Sequence, residues 1–166
     1  MGRLVGSVEL NAETMRAFIL VGPPASGKTS YVQTLRRRVP GLVHIEGDCI
    51  REGILRECPD EGYYGKLQNG IEDAIADAAG CGNDVVVDGC HYSVDIRLWL
   101  VTLLRSYGYS NIEVIVLLPS LSSCLQWNQK RKRQVPDYII RLMYKDVRRC
   151  LPTIEEEGYC NVEFVH

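Results

Sequence analysis

Short apolar runs alternate with longer stretches of helical spacing along this chain. The runs are rich in valine and isoleucine, and they do not alternate strictly with polar residues. They occupy residues 17–21 (AFILV), 43–45 (VHI), 85–87 (VVV), 112–118 (IEVIVLL) and 161–165 (NVEFV). Runs of this kind are typical of strands that are buried on both faces of a sheet. The pattern therefore predicts five strands, of which the last is the weakest.

Apolar residues between the predicted strands recur at helical spacing. Three such faces are formed by Leu67, Ile71, Ala74, Ile75 and Ala78, by Ile96, Trp99, Leu100, Leu103, Leu104 and Tyr107, and by Ile139, Ile140, Met143 and Val147. Ser93 and Gly108 fit the start and the end of the second helix. Pro136 fits the first position of the third helix, which we expect to end near Arg149. Strands that alternate with helices predict an α/β fold, with a five-stranded, mainly parallel sheet and helices on both faces.

The segment that follows the first predicted strand carries the most specific motif. Residues 22–29 read GPPASGKT and match the P-loop pattern G-x-x-x-x-G-K-[ST] in full, between a strand and a helix. Glycines let the backbone curl so that its N–H groups point at phosphate oxygens, and the helix start adds positive charge. We expect Lys28 to reach the β- and γ-phosphates of ATP and the Thr29 hydroxyl to bind Mg²⁺. The expected ATP-binding residues are Gly22, Ala25, Ser26, Gly27, Lys28, Thr29 and Ser30.

Two carboxylates follow the second and third predicted strands, where ligands bind in sheets of this kind. Asp48, with Arg51 one helical turn later, could accept the proton of an attacking hydroxyl while the arginine holds a phosphate. The alternative is an N-cap and a solvated charge. Asp88 is predicted to hold Mg²⁺ directly or through water, or else to organise its loop. His91 is more often structural at such a position, and its role stays open.

A basic segment follows the fourth predicted strand. Residues 128–149 carry eight Lys or Arg and two Asp, a local charge of +6 in a chain whose net charge is −2, so the remainder sums to −8. Within it, residues 128–133 (NQKRKR) predict a helical lid at about 124–135 that closes over ATP. Arg131 is the first candidate for stabilising the γ-phosphate, and Arg133 is the second. The alternative is a solvated, basic helix end.

Length and composition limit the remaining possibilities. A chain of 166 residues with 46% hydrophobic residues fits one domain, residues 1–166. Residues 1–16 lack the apolar stretch of a signal peptide, so we expect a cytoplasmic protein, and residues 4–10 could add an edge strand. The seven cysteines are odd in number and show no C-x-x-C spacing, which argues against a zinc site or a disulfide framework.

The chain resembles the kinase domain of phage-type 5′-hydroxyl polynucleotide kinases, within the adenylate-kinase-like P-loop kinases. The likeness lies in GPPASGKTS, in DCIR at residues 48–51 and in NQKRKRQVPDYIIRLMY at residues 128–144. It implies that Asp48 is the general base, that Arg51 grips a phosphate and that Arg131 is the lid arginine. It also implies the strand order 2-3-1-4-5. The chain departs from the family pattern at Gly89, where a small hydroxyl residue is expected, and at Trp127, where a basic residue is expected.

Three functions are compatible with these residues. The first is an ATP- and Mg²⁺-dependent kinase that transfers the γ-phosphate to the 5′-hydroxyl end of DNA or RNA. The second is a kinase of a small hydroxyl acceptor, such as a nucleoside, sugar, antibiotic or metabolite. The third is a nucleotide-binding switch or slow ATPase that acts through a partner. The sequence leaves open which nucleic acid is used, the choice of ATP over GTP, and the oligomeric state.

Overall fold

The computed structural model describes residues 14–57 and 63–165 of the 166-residue chain. The strands are β1 (Arg16–Val21), β2 (Val43–Glu46), β3 (Val85–Asp88), β4 (Asn111–Leu117) and β5 (Asn161–Val165). The helices are α1 (Lys28–Arg38), α2 (Gly47–Glu57), α3 (Tyr63–Gly80), α4 (Val94–Ser106), α5 (Leu121–Gln129) and α6 (Asp137–Ile154), and a 3₁₀ turn follows at Glu155–Glu157. The edge strand considered for residues 4–10 lies outside the described residues.

All five strands lie in one parallel sheet with the order β2-β3-β1-β4-β5, which confirms the predicted architecture and strand order. β1 is central, and its registers pair Ile19 with Val87 of β3 and Val21 with Val116 of β4. Because every strand runs in the same direction, the carboxyl ends of β1, β2 and β3 meet at one edge. The P-loop, the start of α2 and Asp88 are therefore brought to the same edge of the sheet.

The side chains of β1 alternate between two hydrophobic clusters, one on each face of the sheet. Ile19 and Val21 belong to a cluster that includes residues of α3, α4 and α6, whereas Phe18 and Leu20 pack with residues of α1. These four side chains are at most 5% exposed. Complete burial of such a side chain contributes about 1.5–3 kcal/mol, which explains why an uninterrupted apolar run forms the central strand.

Two helices differ in detail from the sequence prediction. In α4, Ile96 is 41% exposed and Arg97 is completely buried, so the buried face is rotated from the predicted one. The cause is a buried ion pair between Arg97 and Glu157, which periodicity does not reveal. Pro136 is the N-cap of α6 and not its first residue, and the helix continues to Ile154 because the apolar stripe extends that far.

The described parts of the chain contain no helix with both the length and the apolar character that a membrane crossing needs.

Candidate active site

The P-loop forms a concave backbone turn between β1 and α1. Ala25 and Gly27 have positive φ angles of 59° and 91°, and such left-handed conformations turn successive N–H groups toward one centre. At Gly22, an ideal Cβ would lie only 2.4 Å from the carbonyl oxygen of Leu117 and 2.7 Å from Ser26 Oγ. Glycine is therefore required at the first position, because the loop presses directly against the end of β4. The cradle is built for an anionic group.

Lys28, the first residue of α1, packs against this loop and is only 8% exposed. Its Nζ donates hydrogen bonds to the carbonyl oxygens of Gly22, at 3.0 Å, and Pro23, at 2.8 Å. These two hydrogen bonds hold the lysine charge against the first two residues of the loop. This is the arrangement expected for a group that meets phosphate oxygens.

Asp88, at the end of β3, is buried next to the first turn of α1. The Thr29 hydroxyl donates to Asp88 Oδ2 over 3.2 Å, and His44 Nε2 lies 3.0 Å from the same oxygen. Burial opposes ionisation of this carboxyl, but the His44 hydrogen bond and the Lys28 charge outweigh it, so the pKa of Asp88 lies below its usual value. Asp88 is therefore a carboxylate at neutral pH. An ionised carboxylate next to a threonine hydroxyl is an oxygen donor set that suits Mg²⁺.

His44 contacts Asp88 although no sequence motif marks this histidine. In the β2–β3 register, His44 pairs with Val86, and Asp88 lies two residues further along β3. Side chains two residues apart on a strand share a face, so the register places His44 and Asp88 on the same side. The sequence does show that His44 is a polar residue between two apolar ones, Val43 and Ile45. Its partner Asp88 could not be identified without knowing the register of the two strands.

Asp48 and Arg51 lie on the first turn of α2 and face each other, with 3.5 Å between Arg51 Nη1 and Asp48 Oδ1. Both side chains are exposed. α2 begins next to the end of β3, because an ideal Cβ at Gly47 would lie 3.5 Å from the carbonyl oxygen of Asp88. Burial raises the pKa of the Cys90 thiol, and the charges of Lys28, Asp48 and Arg51 also act on that thiol. The pair therefore lies on the helix that starts at the same edge of the sheet as the P-loop and Asp88.

The lid predicted at about residues 124–135 covers the second part of α5 and the irregular residues that follow this helix. Asn128 is 2% exposed, its Oδ1 accepts a hydrogen bond from Val135 N over 3.0 Å, and its Nδ2 donates to Val135 O over 2.8 Å. One side chain thus closes the base of a basic loop. Arg133 forms an ion pair with Glu52 on α2. Arg131 is exposed, and among the described residues its side chain makes no ion pair.

His91 contacts β1, the strand that leads into the P-loop. Its Nδ1 donates to the carbonyl oxygen of Leu20 over 2.7 Å, and its own carbonyl accepts a hydrogen bond from Arg97 Nη1, also over 2.7 Å. Burial lowers the pKa of His91 to about 4, so the ring is neutral at physiological pH. Gly89 is matched to this ring, because an ideal Cβ there would lie 2.7 Å from His91 Nε2. These contacts support a structural role for His91.

Comparison with known proteins agrees with this geometry. The chain belongs to the family described as AAA domain (AAA_33), whose model matches residues 18–149. It has a kinase-like P-loop fold.

Several solved structures share that fold. A chain of the Pnkp1/Rnl/Hen1 RNA repair complex matches with a TM-score of 0.71 and 17% identity, over 85% of this chain and 46% of that one. A gluconokinase from Sinorhizobium meliloti matches with a TM-score of 0.59 and 17% identity, over 92% and 82% of the two chains. The tunicamycin resistance protein of Deinococcus radiodurans matches with a TM-score of 0.57 and 16% identity, over 90% and 86%. The chain thus spans less than half the length of the RNA repair protein that it matches.

Proposed function

We propose that this protein is a phosphotransferase that moves the γ-phosphate of ATP to the 5′-hydroxyl end of a nucleic acid. The observation that supports the proposal is the ion pair Asp48–Arg51, which lies on the helix that starts at the same edge of the sheet as the P-loop. A nucleotide switch needs no carboxylate on the acceptor side of its phosphate site. A kinase needs a group that can take the proton of the attacking hydroxyl.

The proposed reaction is an in-line displacement at the γ-phosphorus. Asp48 accepts the hydroxyl proton as the acceptor oxygen forms its bond to phosphorus, and the bond from phosphorus to the β,γ-bridging oxygen breaks to release ADP. Lys28 stabilises the charge on the transferred group, and Arg131 joins it when the lid closes. Mg²⁺, which Thr29 would bind with Asp88 directly or through water, would neutralise charge on the β- and γ-phosphates.

Charge distribution supports a nucleic-acid acceptor. The excess of six positive charges at residues 128–149 is concentrated in the lid and α6, whereas the rest of the chain is acidic. Nucleic acids present a phosphate at every nucleotide, and local clusters of Lys and Arg provide most of the affinity for them. A small neutral acceptor would gain nothing from such a cluster.

A small-molecule kinase is the second candidate, and the structural comparisons favour it in one respect. The matched gluconokinase and tunicamycin resistance protein align over 82% and 86% of their own lengths. The matched chain of the RNA repair complex aligns over 46% of its length. The names of these two proteins make gluconate and tunicamycin the first small molecules to test as acceptors.

The test is transfer of labelled γ-phosphate from ATP and Mg²⁺ to a single-stranded oligonucleotide with a 5′-hydroxyl. We expect labelling by the wild type and a loss of about 10²–10⁴-fold in Asp48→Asn, which removes the proton acceptor. Asp77→Asn, an exposed aspartate near the end of α3, is the matched control and should keep full activity. Oligonucleotides that stay unlabelled while a sugar or nucleoside is phosphorylated would establish the second candidate instead.

A further inference from the structure

A second concave surface lies apart from the P-loop, between the start of α5 and one side of α6. The groove has a volume of about 500 Å³ and is lined by Leu121, Arg141, Tyr144, Lys145, Arg148 and Arg149. None of these residues belongs to the P-loop or to the carboxylates at the strand ends. We call it the α6 groove.

The positive charges of the α6 groove are mostly without acidic partners. Arg149 is 3.6 Å from Asp146, but within the described part of the chain no ion pair involves Arg141, Lys145 or Arg148. Residues three or four positions apart on a helix are neighbours, and like charges there destabilise the helix. The chain has 21 acidic residues, so the lack of partners is local to this surface. An anion in the groove would relieve this repulsion.

The walls of the groove indicate what kind of anion fits. Leu121 and Tyr144 are partly buried and contribute apolar surface between the charged side chains. Along the same helix, Tyr138 is 69% exposed and Leu142 is 55% exposed. Tyrosine rings among arginines can stack on bases while the arginines meet the phosphates, which is the combination that binds single strands without sequence preference. The groove thus matches a nucleotide unit better than an inorganic anion.

The end of β4 links the groove to the phosphate cradle. Leu121 is four residues beyond Leu117, and the carbonyl oxygen of Leu117 is the atom against which Gly22 of the P-loop packs. A strand whose 5′ end reaches the cradle can therefore run past the start of α5 onto this basic surface. We propose that the α6 groove binds the phosphate backbone of the single-stranded nucleic acid whose 5′ end is phosphorylated. This rests on the proposed function, and it names the part of the acceptor that is recognised.

The experiment compares Arg141→Glu/Arg148→Glu with Arg36→Glu/Arg37→Glu, which reverses two exposed charges in the last turn of α1. Binding is measured by fluorescence anisotropy of a labelled, 5′-phosphorylated single strand, which cannot be an acceptor. We expect the groove variant to bind about tenfold more weakly or worse, with a salt slope reduced by about 1.4, because two phosphate contacts to a single strand are lost. The α1 variant should bind like the wild type.

Kinetics add a second measurement. For the groove variant, we expect a higher KM for a 5′-hydroxyl oligonucleotide long enough to cross the groove, and unchanged KM values for ATP and for a 5′-hydroxyl dinucleotide. Equal binding by both variants would overturn the proposal. If a mononucleotide binds the groove as tightly as the strand does, the groove is a site for free nucleotide. Groove-dependent strand binding without labelling of any oligonucleotide would refute the proposed function, while the strand-binding assignment would stand.

Discussion

Replacing His44 with phenylalanine tests whether this histidine positions the carboxylate of Asp88. The substitution keeps an aromatic ring in β2 and removes the donor that lies 3.0 Å from Asp88 Oδ2. Asp88 is only 5% exposed, so water has little access to replace the lost hydrogen bond. A hydrogen bond to a charged group contributes about 1.5–3 kcal/mol to stability. We expect the free energy of unfolding to fall by about that amount.

The same substitution should weaken the use of Mg²⁺, because Asp88 keeps only its contact with Thr29. Titration of a fluorescent ATP analogue with and without Mg²⁺ measures this without relying on turnover. We expect the Mg²⁺-dependent gain in affinity to shrink by about tenfold, which corresponds to about 1.4 kcal/mol. His44→Gln, which retains a side-chain N–H donor of similar reach, should recover part of the loss. If His44→Phe matches the wild type in both stability and Mg²⁺ dependence, the positioning role is wrong.

Three further substitutions test the lid, the buried histidine and the lid arginine. Asn128→Ala removes both hydrogen bonds to Val135 and should lower the free energy of unfolding by about 2 kcal/mol in urea denaturation. His91→Asn should reduce the acid sensitivity of the protein, as measured by thermal unfolding against pH. The pKa of His91 falls from 6.5 to about 4 on folding, so the unfolded chain binds a proton that the folded chain excludes. Stability is therefore complete above pH 6.5 and drops by up to about 3 kcal/mol as the pH falls through this window. Arg131→Ala should lower kcat about a hundredfold in the kinase assay, if Arg131 stabilises the transferred phosphate.

Each of these has a result that would contradict it. An unchanged unfolding midpoint in Asn128→Ala would mean that the two hydrogen bonds do not hold the lid base. If His91→Asn loses as much stability as the wild type when the pH falls, other groups cause the acid sensitivity. If Arg131→Ala lowers kcat by less than about tenfold, Arg131 is not the arginine that stabilises the transferred phosphate. Arg133, which forms an ion pair with Glu52 on α2, is then the next residue to replace.

The sequence alone determined the features that depend on neighbouring residues. The phosphate cradle could be read from residues 22–29, because its glycines, its lysine and its helix start are contiguous and local conformation decides their geometry. The strands could be read from their apolar runs, since a strand covered on both faces leaves few places for polar residues. The ends of the helices were less certain, and α6 extended beyond Arg149 to Ile154.

Only the tertiary structure decided the contacts between distant segments. His44 acquires its role from the register of β2 against β3, and periodicity carries no information on which residue of β3 lies beside a residue of β2 about 40 positions earlier in the chain. The rotated face of α4 follows from Arg97, whose carboxylate partner Glu157 is 60 residues away. The α6 groove likewise depends on how the start of α5 packs against α6. Patterns in a sequence report whether a side chain is buried, whereas long-range packing decides which partner it meets.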